Sequence, residues 1–128
     1  STTSDKKTVL KKILTGEKLL QYQELVRKVP VSDHVIEYAV KLVQKTRPKS
    51  ALATKEANAY LEWGAGPRAS QCLVICAKCH ALLQGKYAPD IEDVQAVAVP
   101  VLRHRLLLNF KAEAEGITLE RFIQDLLN

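Results

Sequence analysis

Apolar positions recur along this chain at helical spacing, in blocks set apart by glycine, proline and capping residues. Val9, Leu10, Ile13 and Leu14 share one helical face, and Gly16 breaks that pattern. Leu19, Leu20, Tyr22, Gln23, Val26 and Arg27 continue as a second amphipathic stretch, closed by Pro30. Ser32 is a good N-cap, and Val35, Ile36, Ala39, Val40, Leu42 and Val43 follow at helical spacing. That helix is expected to end before Pro48, because the residue preceding a proline disfavours the helical region. Residues 47 to 55 read as a loop.

Tyr60-Leu61-Glu62-Trp63 has strand character and is stopped by Gly64-Ala65-Gly66-Pro67. Pro67 suits the first turn of a helix, so a long helix is predicted from about Pro67 to about Leu83, with Gly85 as its stop signal. Pro89 opens another helix through Ile91, Val94, Val97 and Ala98, interrupted or bent near Pro100 and continued by Val101 and Leu102. Leu106 to Phe110 is a short apolar run that fits a helix end or a strand. Gly116 breaks the chain, and Thr118 caps a final helix carrying Leu119, Phe122, Ile123, Leu126 and Leu127. The expected fold is a mostly all-α helical bundle forming one domain over residues 1–128. It leaves room for a two-stranded pairing between Tyr60–Trp63 and Leu106–Phe110.

Composition narrows the function classes. The 128 residues are 47% apolar and 26% charged, which is a globular balance, and no apolar run approaches the ~18 residues of a membrane span. The polar, lysine-rich N-terminus is not a signal peptide. Three cysteines without export signals point to a reducing, cytoplasmic setting. The net charge of +5 is spread among acidic residues, apart from Lys6-Lys7 with Lys11-Lys12 and Arg103-His104-Arg105. Aromatics are only 5%, so stacking platforms for single-stranded nucleic acid are missing and nucleic acid is disfavoured as a partner.

Cys76-Ala77-Lys78-Cys79-His80 matches the C-x-x-C-H pattern of covalent haem attachment, and Cys72 adds a third thiol four residues earlier. A small c-type haem or metal-binding bundle is therefore the alternative reading. Against it, Ala69, Cys72, Cys76, Cys79 and Leu83 fall on one helical stripe, the pattern of a buried seam. Haem attachment needs export, and the chain has no methionine to serve as an axial ligand, though His34 or His104 could substitute. There is no phosphate loop, no G-x-S-x-G and no H-E-x-x-H. Asp90, Glu92 and Asp93 sit where a helix start favours acids, and a lone His34 near a helix start has a similar structural explanation.

The most informative segment is Gly64-Ala65-Gly66-Pro67-Arg68-Ala69-Ser70. A cation in the first helical turn opposes the helix dipole, yet the same helix end is an anion site that Arg68 could complete. The local residues leave that reading and a surface arginine with a distant carboxylate partner equally open.

Tyr60 to Ala69 resembles the start of the sensor 2 helix in the lid of MoxR-family AAA+ ATPases. Val31 to Tyr38 and Leu42 to Arg47 are similar to earlier lid helices of that family. Gly85-Lys86-Tyr87-Ala88-Pro89-Asp90-Ile91-Glu92-Asp93-Val94 is similar to its G-R-x-Y-V-x-P-x-D-V segment. Val101 to Arg105 and Asn109 to Gly116 resemble its C-terminal end, which Leu126-Leu127-Asn128 would close. The resemblance implies an AAA+ lid-type bundle whose nucleotide-binding core lies upstream of Ser1. It implies that Arg68 is the sensor 2 arginine, with Gly66 and Pro67 beside it on the phosphate side of ATP. Position 66 is Gly where the family more often has Ser. ATP and Mg2+ would be bound by the whole ATPase and not by this chain, which alone would not be catalytic. Implied partners are other subunits of a ring, with Arg103, His104 and Arg105 at an interface, and a client protein remodelled or matured in chaperone-like fashion. A von Willebrand factor A-type protein often accompanies such ATPases.

Overall fold

A computed structural model describes residues 16–128. The expected face Val9–Leu14 and the lysines at 6, 7, 11 and 12 lie outside the described residues. Helix α1 spans Gly16–Lys28, α2 Asp33–Lys45, α3 Lys55–Tyr60, α4 Pro67–Leu83, α5 Ile91–Leu102, α6 Phe110–Ala114 and α7 Leu119–Leu127. Two short strands, β1 (Leu61–Trp63) and β2 (Leu107–Leu108), pair antiparallel, with Leu61 opposite Leu108 and Trp63 opposite Leu107. The helical bundle with one small pairing is thus as the residue pattern predicts.

Most of these elements begin on a short polar side chain that satisfies a free backbone donor. The Ser32 hydroxyl accepts from the Val35 amide, and Thr118 accepts from the Arg121 amide. Asp90 and Asp93 form a reciprocal capping box at the start of α5. At the far end of α4, Gly85 adopts φ +75°, a left-handed value that glycine adopts without steric cost. This brings the Lys86 amide back to the Ala81 carbonyl at 2.9 Å and turns the chain towards α5.

Two short helices escape the residue pattern. Residues 47–55 are only partly a loop, because Thr54 accepts from the Ala57 amide and starts α3. Asn109 does the same for α6, accepting from the Ala112 amide while its own amide group donates to the Ala59 carbonyl. Neither helix is long enough to display a period.

Helix α5 is not interrupted at Pro100. The proline sits in the last turn, and the amide it lacks would have met the carbonyl of exposed Ala96, which water can satisfy. Gly16 is the first described residue of α1, so the break expected there falls at the edge of the described residues.

The core lies between α4 and α5, with α2 against α4 and α7 against α5. Leu42, Leu73, Val94, Leu102 and Ile123 are its largest fully buried apolar side chains. The buried row of α4 is Ala69-Leu73-Ala77-Ala81, not the predicted cysteine stripe. Alanine at three of these four positions lets neighbouring helices approach closely. The predicted stripe is displaced sideways: Cys72 and Cys76 only flank the core, and Leu83 is 77% exposed.

Candidate functional site: the turn that presents Arg68

The start of α4 is built by residues far apart in sequence. Thr46 caps the C-terminus of α2 and is fully buried. Its hydroxyl donates to the Val43 carbonyl at 2.6 Å and accepts from the Ala65 amide at 3.1 Å. Next to that bond, Gly64 lies against the Thr46 carbonyl so closely that a Cβ there would stand 2.0 Å from the oxygen. Only glycine fits. Gly66 is then the N-cap of α4 and Pro67 its first residue.

The first turn of α4 has no side-chain cap and no acidic residue. Pro67 has no amide and the Ala69 amide bonds the Gly66 carbonyl at 3.0 Å, so the Arg68 amide is the leading donor at the positive end of this 17-residue helix. Arg68 stands exposed on this turn and makes no ion pair among the described residues. The distant carboxylate that a purely structural arginine would need is not found there. Arg68 shares a helical face with Gln71 and Ile75. With Ile36 and Val40 of α2, Gln71 and Ile75 line a shallow groove of about 360 Å³. Ile36, Val40 and Ile75 are exposed large apolar side chains. One surface thus combines a free cation with an uncovered apolar strip.

The second cluster lies at the other end of α4. Asp93 is 1% exposed and receives the Lys86 ammonium at 2.6 Å, the Asp90 amide at 2.7 Å and His80 Nδ1 at 2.6 Å. Burial pushes the Asp93 carboxyl up, but Lys86, the Asp90 amide and His80 together hold it below its usual range. The same carboxylate raises the Lys86 ammonium above its ordinary value. Asp90, Glu92 and Asp93 draw close enough to suggest a cation site, but Lys86 pairs with all three. This cluster joins α4 to α5.

The cysteines do not assemble a ligand set with His80 among the described residues. Cys76 and Cys79 lie in unbroken helix, and His80 is engaged by Asp93. Burial, reinforced by neighbouring Cys72, pushes the Cys76 thiol up to about 11. The haem or metal reading of Cys76, Cys79 and His80 therefore has no geometric support.

The basic triplet divides. Arg105 donates to the Val101 carbonyl at 2.7 Å, closing the end of α5. Arg103 lies 3.7 Å from Glu120, half-exposed, and His104 is exposed. The residue-by-residue reading missed Thr46 and Asp93. Their burial depends on contacts across the fold, and a polar residue in a helical pattern reads as solvated.

Residues 53–126 match the model of the AAA lid domain. The chain belongs to the AAA lid domain family. Within it, this is a lid of the MoxR type of AAA+ ATPase. It is 34% identical over 117 residues to chaperone MoxR1 of Mycobacterium tuberculosis, which covers 91% of this chain and 31% of that protein. It is 29% identical over 119 residues to the uncharacterised protein YeaC of Bacillus subtilis, covering 93% of this chain and 34% of YeaC. The crystal structure of a candidate ATPase from Cytophaga hutchinsonii superposes with a TM-score of 0.79 at 32% identity, over 87% of the lid and 34% of that chain. The lid thus spans about a third of the length of the relatives it matches. No helix among the described residues is long and apolar enough to cross a membrane.

Proposed function

We propose that this lid serves an AAA+ nucleotide-binding core in the same polypeptide, upstream of residue 1, and that Arg68 is its sensor 2 arginine. The observation that carries the reading is the unpartnered Arg68 on the uncapped first turn of α4. A guanidinium there gains nothing from the helix dipole and has no carboxylate to hold it among the described residues. An anionic ligand would reverse both conditions.

ATP, when bound to the core, supplies the phosphoryl group and the developing negative charge. Arg68 would donate to the terminal phosphate oxygens and stabilise that charge in the transition state. Gly66 contributes a helix start with no side chain in the way, and Pro67 fixes the backbone beside it. Mg2+ belongs to the core in this reading, since Lys86 already neutralises the lid's acidic cluster. The apolar strip of Ile36, Val40 and Ile75 is the surface the lid would turn towards the core. Loss of the contact after hydrolysis would release the lid as a rigid body.

The ATPase would assemble as a ring, with Arg103 and His104 at a subunit boundary. Lid motion would drive chaperone-like remodelling of a client protein, with a von Willebrand factor A-type protein as a companion. The setting is cytoplasmic. The test is ATP turnover by the core-bearing protein with Arg68→Ala: a large fall in kcat with the lid still folded is expected, and unchanged turnover overturns the sensor role.

A further inference from the structure

We propose that Thr46 is a positioning residue for Arg68, and that through it the end of α2 sets where the arginine points. This rests on Arg68 acting as the phosphate sensor.

The turn from Gly64 to Gly66 has no side chain able to fix itself. Among the described residues, the single side-chain hydrogen bond to its backbone is that from the Ala65 amide to the Thr46 hydroxyl. That hydroxyl is itself oriented, because its proton is committed to the Val43 carbonyl at 2.6 Å. It therefore offers a fixed lone pair to Ala65. The Thr46 carbonyl fills the space beside Gly64 where a Cβ would otherwise sit, so the turn is held by contact as well as by a hydrogen bond. Both Thr46 and Ala65 are buried. Water cannot replace the bond. From Ala65 the path to Arg68 is three residues long. It runs through Pro67, with fixed φ, and the first helical bond from the Ala69 amide to the Gly66 carbonyl.

A threonine at a fully buried position is otherwise hard to explain. Valine has nearly the same shape and no polar group to satisfy. What threonine adds is the two-way hydrogen bond that makes the end of α2 and the start of α4 one rigid unit. A rotation of α2, whose Ile36 and Val40 line the groove beside α4, would carry Arg68 with it.

A double-mutant cycle in the core-bearing ATPase tests this. Thr46→Val is expected to lower kcat about tenfold with KM for ATP nearly unchanged, as a misplaced transition-state contact does. Thr46→Ser keeps the hydroxyl and is expected to retain the wild-type kcat. The double variant Thr46→Val/Arg68→Ala is expected to be no slower than Arg68→Ala alone. If Arg68→Ala slows turnover but Thr46→Val does not, the positioning role is wrong and the sensor role stands. If the two losses multiply, Thr46 acts independently of Arg68 and the proposal is wrong. If Thr46→Val slows turnover and Arg68→Ala does not, both readings fall. Should Thr46→Val fail to fold by circular dichroism, Thr46→Cys against Thr46→Ser carries the test. Cysteine is close to threonine in volume but is a weaker hydrogen-bonding group than serine, so a lower kcat is expected, and equal values overturn the proposal.

Discussion

Lys86 places its ammonium 2.6 Å from Oδ2 of Asp93, a carboxylate that is 1% exposed. Asp93 lies in the first turn of α5 and Lys86 just past the end of α4, so this pair and the His80 contact fix how the two central helices meet.

Removing that carboxylate leaves the Asp90 amide and His80 Nδ1 without their acceptor and takes from Lys86 its shortest partner, Asp90 and Glu92 remaining beside it. Asp93→Ala is expected to destabilise the chain by about 2 kcal/mol, the scale of leaving buried polar groups without their charged acceptor. Urea titration followed by circular dichroism measures it. A loss below about 1 kcal/mol would mean that the cluster is incidental.

The same carboxylate predicts acid sensitivity. Its net shift is downward, so the unfolded chain takes up this proton at a higher pH than the folded chain does. The stability Asp93 contributes is complete above the ordinary carboxylate value and is lost as pH falls below about 4. Lys86 is shifted upward, so its contribution persists until the pH rises past the ordinary lysine value. Stability measured from pH 6 to pH 2.5 should fall more steeply for the natural chain than for Asp93→Asn. Equal slopes contradict the assignment.

The two glycines that flank Ala65 should respond in opposite ways. Gly64→Ala drives a Cβ into the Thr46 carbonyl and is expected to cost about 3 kcal/mol, at the upper end for overpacking. Gly66 has extended backbone angles and open space around it, so Gly66→Ser should fold normally and change stability by only a few tenths of a kcal/mol. Thermal unfolding of the two variants separates them directly.

That contrast marks what the sequence discloses. The long helices were legible, because α2, α4, α5 and α7 carry enough apolar repeats to reveal a period, with Ser32, Pro67 and Thr118 marking starts. The strand pairing was legible from two short apolar runs and a glycine stop. The short helices α3 and α6 were not, since five or six residues show no period. The buried face of α4 was misplaced because cysteine and alanine are both small and weakly apolar. Packing against α2 and α5 decides which of them turns inward. Arg68 stood out locally because a cation at a helix start is unfavourable. Thr46 did not, because its partner Ala65 is nineteen residues away.

Cys76 should be a slow nucleophile. With its thiol pushed up to about 11, little thiolate is present near neutrality. Iodoacetamide at pH 7.5, read by peptide mass spectrometry, should leave Cys76 largely unmodified until the pH passes about 10 or the chain is unfolded. Rapid labelling of Cys76 in the folded chain contradicts the flanking-core placement.

Arg103 and His104 provide a test of the proposed ring boundary that spares the fold. The Arg103–Glu120 contact is long and half-exposed, so Arg103→Glu with His104→Glu should leave the lid's unfolding within about 1 kcal/mol. Sedimentation of the core-bearing ATPase should show a loss of ring. Arg105 is unsuitable for this purpose, since it closes α5. A full ring in the double variant contradicts the boundary.

The most direct test of the central claim is single-turnover ATP hydrolysis by the core-bearing protein, natural against Arg68→Ala, with nucleotide affinity measured in parallel. The hydrolysis rate is expected to fall about a hundredfold, typical of losing one transition-state donor, with a much smaller change in affinity. Equal hydrolysis rates in two folded proteins would contradict it, and Arg68 would then be a surface arginine on an ordinary helix start.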